Sequence, residues 1–239
     1  TYALKKVELC AGDARHPGAS ICTNPNHCQA WISKQTMKAR WGMFGYLTNL
    51  KRIQQAVAET KGQVITYQGR LIDPVYHSTG TGKTENSEDV WHNSIPYLRS
   101  VQSPWDEQSP RFSESKSISI SQIDAALGTN LQAIPVAALG TGGSNAIIKV
   151  VERTSSGRIR RLQIDGKTVL GTEFRRVLGL NSTDFSWSIK GEKLIFTTKG
   201  FGHGVGMSQY GANGMAKLGA GYEQILKHYY TGVKLERID

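Results

Sequence analysis

No stretch of this chain approaches the ~18 consecutive apolar residues that cross a bilayer as a helix, and no basic-then-apolar leader opens it. A membrane anchor or an export signal, if the protein uses one, is therefore expected outside these 239 residues. No internal repeat is visible, which argues against a solenoid or propeller. Cysteine is sparse: three thiols allow one internal bridge and leave one over. Acidic residues are also in deficit, 19 Asp+Glu against 29 Lys+Arg, for a formal net charge of +10. That excess favours polyanionic surroundings such as nucleic acid, anionic lipid or an acidic cell wall. No nucleic-acid-binding motif accompanies it. The cations are spread along the chain, and the densest cluster, Arg158, Arg160 and Arg161, reads most simply as a solvated basic surface.

What is present suits a globular protein rich in turns: 38% hydrophobic residues, 20% charged residues and 26 glycines. The length allows one large domain or two modest ones. Residues 1–9 read as a helix without a start signal, as if its beginning were missing. A better-bounded helix is predicted over 50–61, with Leu50, Ile53 and Val57 on one face, Asn49 before it and Gly62 after it. Residues 64–67 and 70–72 flank Gln68-Gly69 as a β-hairpin. A polar stretch, 75–89, precedes a strand expected over 96–101. From Ser113 the composition changes. Ile118 and Ile120 alternate with serines, and Ser121-Gln-Ile-Asp124 gives a capping pattern for a short helix that ends near Gly128. Residues 146–153 and 158–164 form a strand pair around Ser155-Ser156-Gly157, Asp165-Gly166 turns the chain, and 172–178 is a second short helix. The chain then returns through 194–197 to a glycine-rich loop and two terminal helices. The expected architecture is α+β: a larger mixed lobe, 1–112 with 182–239, and a smaller α+β lobe inserted over 113–181.

Three clusters carry chemical information. The first is His16, Cys22, His27 and Cys28, within 13 turn-rich residues. Two thiolates and two imidazoles complete a tetrahedral zinc shell, and four protein ligands leave no open position, so a metal here would be structural. A Cys22–Cys28 disulfide with Cys10 left free is a rival reading, as is a loop that binds nothing. The second cluster runs from Tyr76 to Glu85. Its Gly82-Lys83-Thr84 invites a phosphate-loop reading that fails, because the required earlier glycine is His77 and no amphipathic helix follows. The segment otherwise offers hydroxyls, a lysine and an imidazole suited to sugar hydroxyls or carboxylates, or else a solvated turn. The third cluster is the run from Gly200 to Ala212, with glycines at 200, 202, 204 and 206 framing His203. Alternating glycines permit close backbone approach, Ser208 can cap the helix that follows, and the spacing does not match a dinucleotide fingerprint.

These residues carry a resemblance. Tyr-His-Ser-Thr-x-x-Gly-Lys-Thr-Glu-Asn-Ser-Glu-Asp-Val-Trp, Pro-Tyr-Leu-Arg-Ser-Val-x-Ser-Pro-Trp-Asp, Gly-Thr-Glu-Phe-Arg-Arg-x-Leu-Gly-Leu and Gly-His-Gly-Val-Gly-Met-Ser-Gln-Tyr-Gly-Ala together resemble the stage II sporulation protein D family over nearly the whole chain. The His/Cys loop is similar to the zinc loop of clostridial members, so the resemblance implies zinc on His16, Cys22, His27 and Cys28. It also implies a lytic transglycosylase that cuts the MurNAc–GlcNAc linkage of peptide-stripped peptidoglycan strands and leaves 1,6-anhydro ends during forespore engulfment. An extracytoplasmic location at the septum between mother cell and forespore, an N-terminal membrane anchor and partnership with sporulation proteins P and M come with it.

Such a reaction needs one carboxylic acid to protonate the glycosidic oxygen and then take the C6 hydroxyl proton as the sugar closes on itself. In the family that acid lies in a Glu-Met-Pro segment ahead of a helix ending Arg-Thr-Tyr-Ala. This sequence opens at Thr1-Tyr2-Ala3, so no residue here inherits the role. Glu85 is the most tempting substitute and reads better as a loop or cleft-wall residue. The expected glycan-binding residues are Tyr76, His77, Ser78, Thr79, Lys83, Thr84, His203, Ser208 and Gln209. Related domains also occur in proteins that enhance cell-wall amidases, so a non-catalytic wall-binding or amidase-enhancing module is the alternative.

Overall fold

The computed structural model describes residues 1–9, 13–15, 18–24, 27–134 and 148–238. The α+β chain divides into two units, Thr1–Pro74 with Val233–Asp239, and Val75–Gly232. The lobe expected over 113–181 lies inside the second unit, together with its flanks on both sides.

The first unit opens with α1 (Tyr2–Leu9), α2 (Lys34–Glu59) and a hairpin of β1 (Gln63–Tyr67) and β2 (Arg70–Leu71). The hairpin turn is the predicted one. Gln68 and Gly69 both take positive φ, 50° and 74°, the conformation whose twist matches a two-residue hairpin loop. α2 starts at Lys34, well before the predicted helix, with the Ser33 hydroxyl accepting the Thr36 N–H at 3.1 Å. Its path breaks at Gly42, whose φ of 66° and ψ of 172° no helical residue adopts. That break divides α2 into a segment before Gly42 and a longer one after it, which contains most of the expected helix. Of the expected apolar face, Leu50 is half-buried, while Ile53 and Val57 are exposed among the described residues.

The second unit contains β3 (Tyr76–His77), β4 (Gly82–Lys83), α3 (Ser87–Val90), β5 (Gln102–Ser103), β6 (Ser113–Ser119) and α4 (Ile120–Leu127). It continues with β7 (Ile148–Arg153), β8 (Ile159–Ile164), β9 (Lys167–Leu170), α5 (Gly171–Leu178), β10 (Asp184–Lys190) and β11 (Lys193–Lys199). β12 (Met207–Ser208), α6 (Gln209–Lys217) and α7 (Tyr222–Tyr229) complete it, and β13 (Lys234–Arg237) returns to the first unit to pair antiparallel with β1. Two antiparallel sheets, ordered β10-β11-β6 and β7-β8-β9, enclose a core with α4 and α5. β11 alternates buried and half-buried residues, as one covered sheet face requires. Phe174 stacks on Phe185 at 5.4 Å, and Phe196 meets both rings edge-on. Burying each such ring contributes about 1.5–3 kcal/mol.

Three expectations change. Residues 96–101 are not a strand: β5 begins at Gln102, and Leu98 is buried within turns. Pro96 lacks the N–H that a ladder needs. The cap of α4 is Ser119 rather than Ser121, because Ser119 and Gln122 complete a reciprocal capping box. Arg158 is not part of a solvated cluster. It is 1% exposed, whereas Arg160 and Arg161 keep 40% and 52% of their side-chain surface.

Candidate functional site

A parallel pair of two-residue strands brings the second and third sequence motifs together: Met207 lies beside Tyr76, and Ser208 beside His77. Isolated bridges from Thr79 to Phe201 and from Glu85 to Val205 extend the contact. Glycine makes it possible. Gly206 has φ of 69°, and a Cβ there would stand 2.1 Å from the Val75 carbonyl oxygen, so a side chain is excluded by both strain and collision.

The histidines of the two motifs sit 5.8 Å apart, ring to ring. His77 is buried and its Nδ1 faces the Val205 carbonyl at 3.2 Å. A carbonyl only accepts, so Nδ1 carries the proton. Burial holds this imidazole well below its ordinary pKa, with Arg158 and His203 adding to the effect. In His203 the roles reverse: Nδ1 accepts the Val205 N–H at 3.1 Å, and the ring makes a second backbone bond to Tyr76. Burial and the neighbouring Arg175 push its pKa down to about 4. Both rings are neutral near pH 7, and each ties one motif to the other.

Two buried acids anchor the surroundings. Asp106 accepts from the Gly80 N–H at 2.7 Å and from the Ser208 hydroxyl through Oδ1, and from the Ser103 hydroxyl at 2.8 Å through Oδ2. Tyr229 donates in turn to Ser103, at 2.8 Å. Glu85, 1% exposed, pairs with Arg158: Arg158 Nε lies 3.5 Å from Glu85 Oε1, which also accepts from the Thr154 and Ser156 hydroxyls. This pair fastens the β7–β8 turn to the second motif. Burial raises the Glu85 carboxyl to about 7, although Arg158 and Thr154 pull it back. Among the described residues, Glu85 Oε2, Arg158 Nη2 and His77 Nε2 are buried without a hydrogen-bond partner.

Of the nine expected glycan-binding residues, Tyr76, Ser78, Lys83, His203 and Gln209 retain exposed surface. The other four are buried and bonded inward. His77 bonds to Val205, Thr79 to Ser109, Thr84 to Val101, and Ser208 to Asp106 while capping α6 through the Gly211 N–H. Sequence reasoning missed Asp106, Arg158 and Trp91 as parts of this site. Asp106 and Trp91 stand within the quoted motifs, but Arg158 has no local signal.

The His/Cys loop belongs to the first unit. Cys22, His27 and Cys28 bring their donor atoms within 4.8 Å of one another, with His27 Nδ1 at 3.3 Å from Cys22 Sγ and 3.7 Å from Cys28 Sγ. Cys22 and Cys28 are not joined as a disulfide. A tetrahedral zinc with ordinary bond lengths sets adjacent sulfur and nitrogen donors about 3.6 Å apart. The observed distances bracket that figure. His27 Nε2 faces Asp13 at 3.2 Å, the outer carboxylate that commonly orients a metal-bound imidazole. The fourth expected ligand, His16, and the third cysteine, Cys10, lie outside the described residues.

Comparison with known proteins bears on the whole chain. A family model described as stage II sporulation protein matches residues 1–67, and one described as a domain of unknown function matches residues 100–206. Stage II sporulation protein D of Bacillus subtilis (strain 168) is 41% identical over 93% of this chain and 62% of its own length. The same protein of Bacillus amyloliquefaciens is 39% identical over 97% of this chain and 64% of its own. The amidase enhancer of Bacillus subtilis is 30% identical over 80% of this chain and 33% of its own length. The chain thus spans somewhat less than two thirds of the sporulation proteins it matches.

Proposed function

Because the chain belongs to the stage II sporulation protein D family, we propose that the protein binds peptide-stripped peptidoglycan glycan strands and cuts their MurNAc–GlcNAc linkages as a lytic transglycosylase during forespore engulfment. The observation that carries this reading is the junction of β3 with β12. It joins two polar, glycine-rich motifs into one rigid surface with Tyr76, Ser78, Lys83, His203 and Gln209 accessible. Rigid hydroxyls, an imidazole face and a lysine suit the hydroxyls and the lactyl carboxylate of a peptide-free strand. His77, Thr79, Thr84 and Ser208 hold that surface in shape from behind. Glu85 does not serve as the acid: it is sealed from solvent and engaged with Arg158. The acid is assigned instead to the Glu-Met-Pro segment that the family carries ahead of a helix ending Arg-Thr-Tyr-Ala. Sporulation proteins P and M are the proposed partners, at the extracytoplasmic face of the engulfing septum.

The full-length protein, incubated with peptide-free glycan strands, is expected to produce 1,6-anhydroMurNAc ends detectable by mass spectrometry. The similarity to an amidase enhancer favours a second reading, a module that binds the wall and activates a partner. Binding without new anhydro ends would support that reading against catalysis.

For the first unit we propose a structural zinc on Cys22, His27, Cys28 and His16. The ion would fix a loop that has little core of its own, so its binding energy would act as folding energy. Elemental analysis of the full-length protein is expected to find one zinc per chain. Cys22→Ser is expected to lose the metal and lower Tm, and a metal-free wild type with unchanged Tm on chelation would refute the site.

A further inference from the structure

Trp91 is a large apolar ring left 38% exposed at a place where the backbone is tightly held. Its N–H bonds to the Ser87 carbonyl at 2.7 Å. The buried Ser87 hydroxyl donates to the Asn93 carbonyl and accepts from the Ile95 N–H, which fixes the chain on the far side of Trp91 as well. The indole leans on His203 at 5.2 Å and 51°, and His203 is itself pinned by two backbone bonds. An exposed ring on a mobile loop would mean little. An exposed ring on a rigid mount, touching the third motif, is a preformed contact surface, and preformed surfaces bind with little ordering cost.

The neighbouring groups indicate the class of ligand. The short helix before Trp91, α3, carries Glu88 and Asp89, the latter with its side chain 9% exposed. Glu88 is paired with Arg99 at 2.5 Å, and Arg160 lies 3.7 Å from Asp89. An exposed indole held beside the His203 imidazole suits a pyranose, whose axial C–H face is apolar and whose rim carries hydroxyls and an acetamido group.

We propose that Trp91 is a stacking platform for one N-acetylhexosamine ring, forming a subsite beside His203. The proposal rests on the glycan reading above and names the residue that holds the sugar's apolar face.

The test uses the full-length protein with two probes, peptide-free glycan strands and the uncharged chitin oligosaccharide chitotetraose. Trp91→Ala is expected to weaken binding of both about tenfold, the scale of one aromatic contact, with an unchanged melting curve. Trp91→Phe is expected to bind within about threefold of wild type, because a smaller ring still stacks. Tryptophan emission of the wild type should change on saturation with chitotetraose, and Trp91→Phe should bind without that change. A merely structural Trp91 would not give this signature. If wild type binds and Trp91→Ala binds equally well, or if Trp91→Phe keeps the emission change, the platform is refuted while the glycan reading stands. If wild type binds neither probe, the glycan reading and the platform fall together.

Discussion

Asp106→Ala is expected to lower the free energy of unfolding by about 3–5 kcal/mol in urea denaturation, enough to threaten a marginally stable fold. The carboxylate is 1% exposed and accepts from Gly80, Ser103 and Ser208, which come from three separate segments. Alanine removes these bonds and leaves buried donors behind, each of which costs about 1–3 kcal/mol when unsatisfied. Tyr229, whose hydroxyl is pushed up to about 12 mainly by burial, loses the chain of bonds that runs through Ser103. Asp106→Asn keeps the volume and one acceptor oxygen but aims an amide donor at other donors, so it should fall between alanine and wild type. A loss below about 1 kcal/mol for alanine, ordinary for a single exposed hydrogen bond, would show that the clamp contributes little.

Arg158→Met is expected to be comparably damaging, and its damage should depend on pH. Glu85 has a folded-state pKa of about 7 against an ordinary 4.5, because burial penalises the charged carboxylate. A raised acid favours the protonated folded state. Its contribution to stability is therefore greatest below about 4.5, falls as pH rises toward 7 and is flat above. In wild type Arg158 limits that loss. With methionine in its place the carboxyl moves higher still, and ionising Glu85 above neutrality leaves a buried charge without a cation. Urea unfolding at pH 8 should show a penalty of about 3–5 kcal/mol, and a clearly smaller one at pH 5, where Glu85 is neutral. Combining Arg158→Met with Glu85→Gln should recover part of the loss at pH 8, the coupling a double-mutant cycle isolates. Equal penalties at both pH values would mean that the Glu85 charge does not govern the effect.

The parts of the fold legible in the sequence are those whose chemistry is local. The Gln68-Gly69 and Asp165-Gly166 turns and the helix ends at Gly128 and Gly179 all place residues at positive φ, and turn-forming residues announce that requirement wherever they stand. β9 and β13 were not legible. Each is four residues long, and its strand state is set by a partner the local pattern does not reveal. The same distinction runs through the site. The motifs identified the two segments that meet, but not which of their polar side chains face inward. Thr79 and Thr84 look like sugar-binding hydroxyls until Ser109 and Val101 are placed beside them. Arg158 looked solvated because Arg160 and Arg161 follow it, while its partner Glu85 lies in another motif altogether.

The β3–β12 junction has a consequence for the order in which the molecule assembles. His77 and Val205 are 128 residues apart, as are Gly80 and Ser208. Closing a loop of that length costs about 3 kcal/mol more chain entropy than closing a four-residue hairpin, and only two strand residues on each side reward it directly. The β7–β8–β9 meander and the hairpin of β10 and β11 close over short distances and can form early. The polar surface beside β3 must wait for the Gly200–Ala212 run. Until that run docks, β3 has no partner strand, so a chain interrupted between Lys199 and Gly206 would have the β6–β11 sheets but no site.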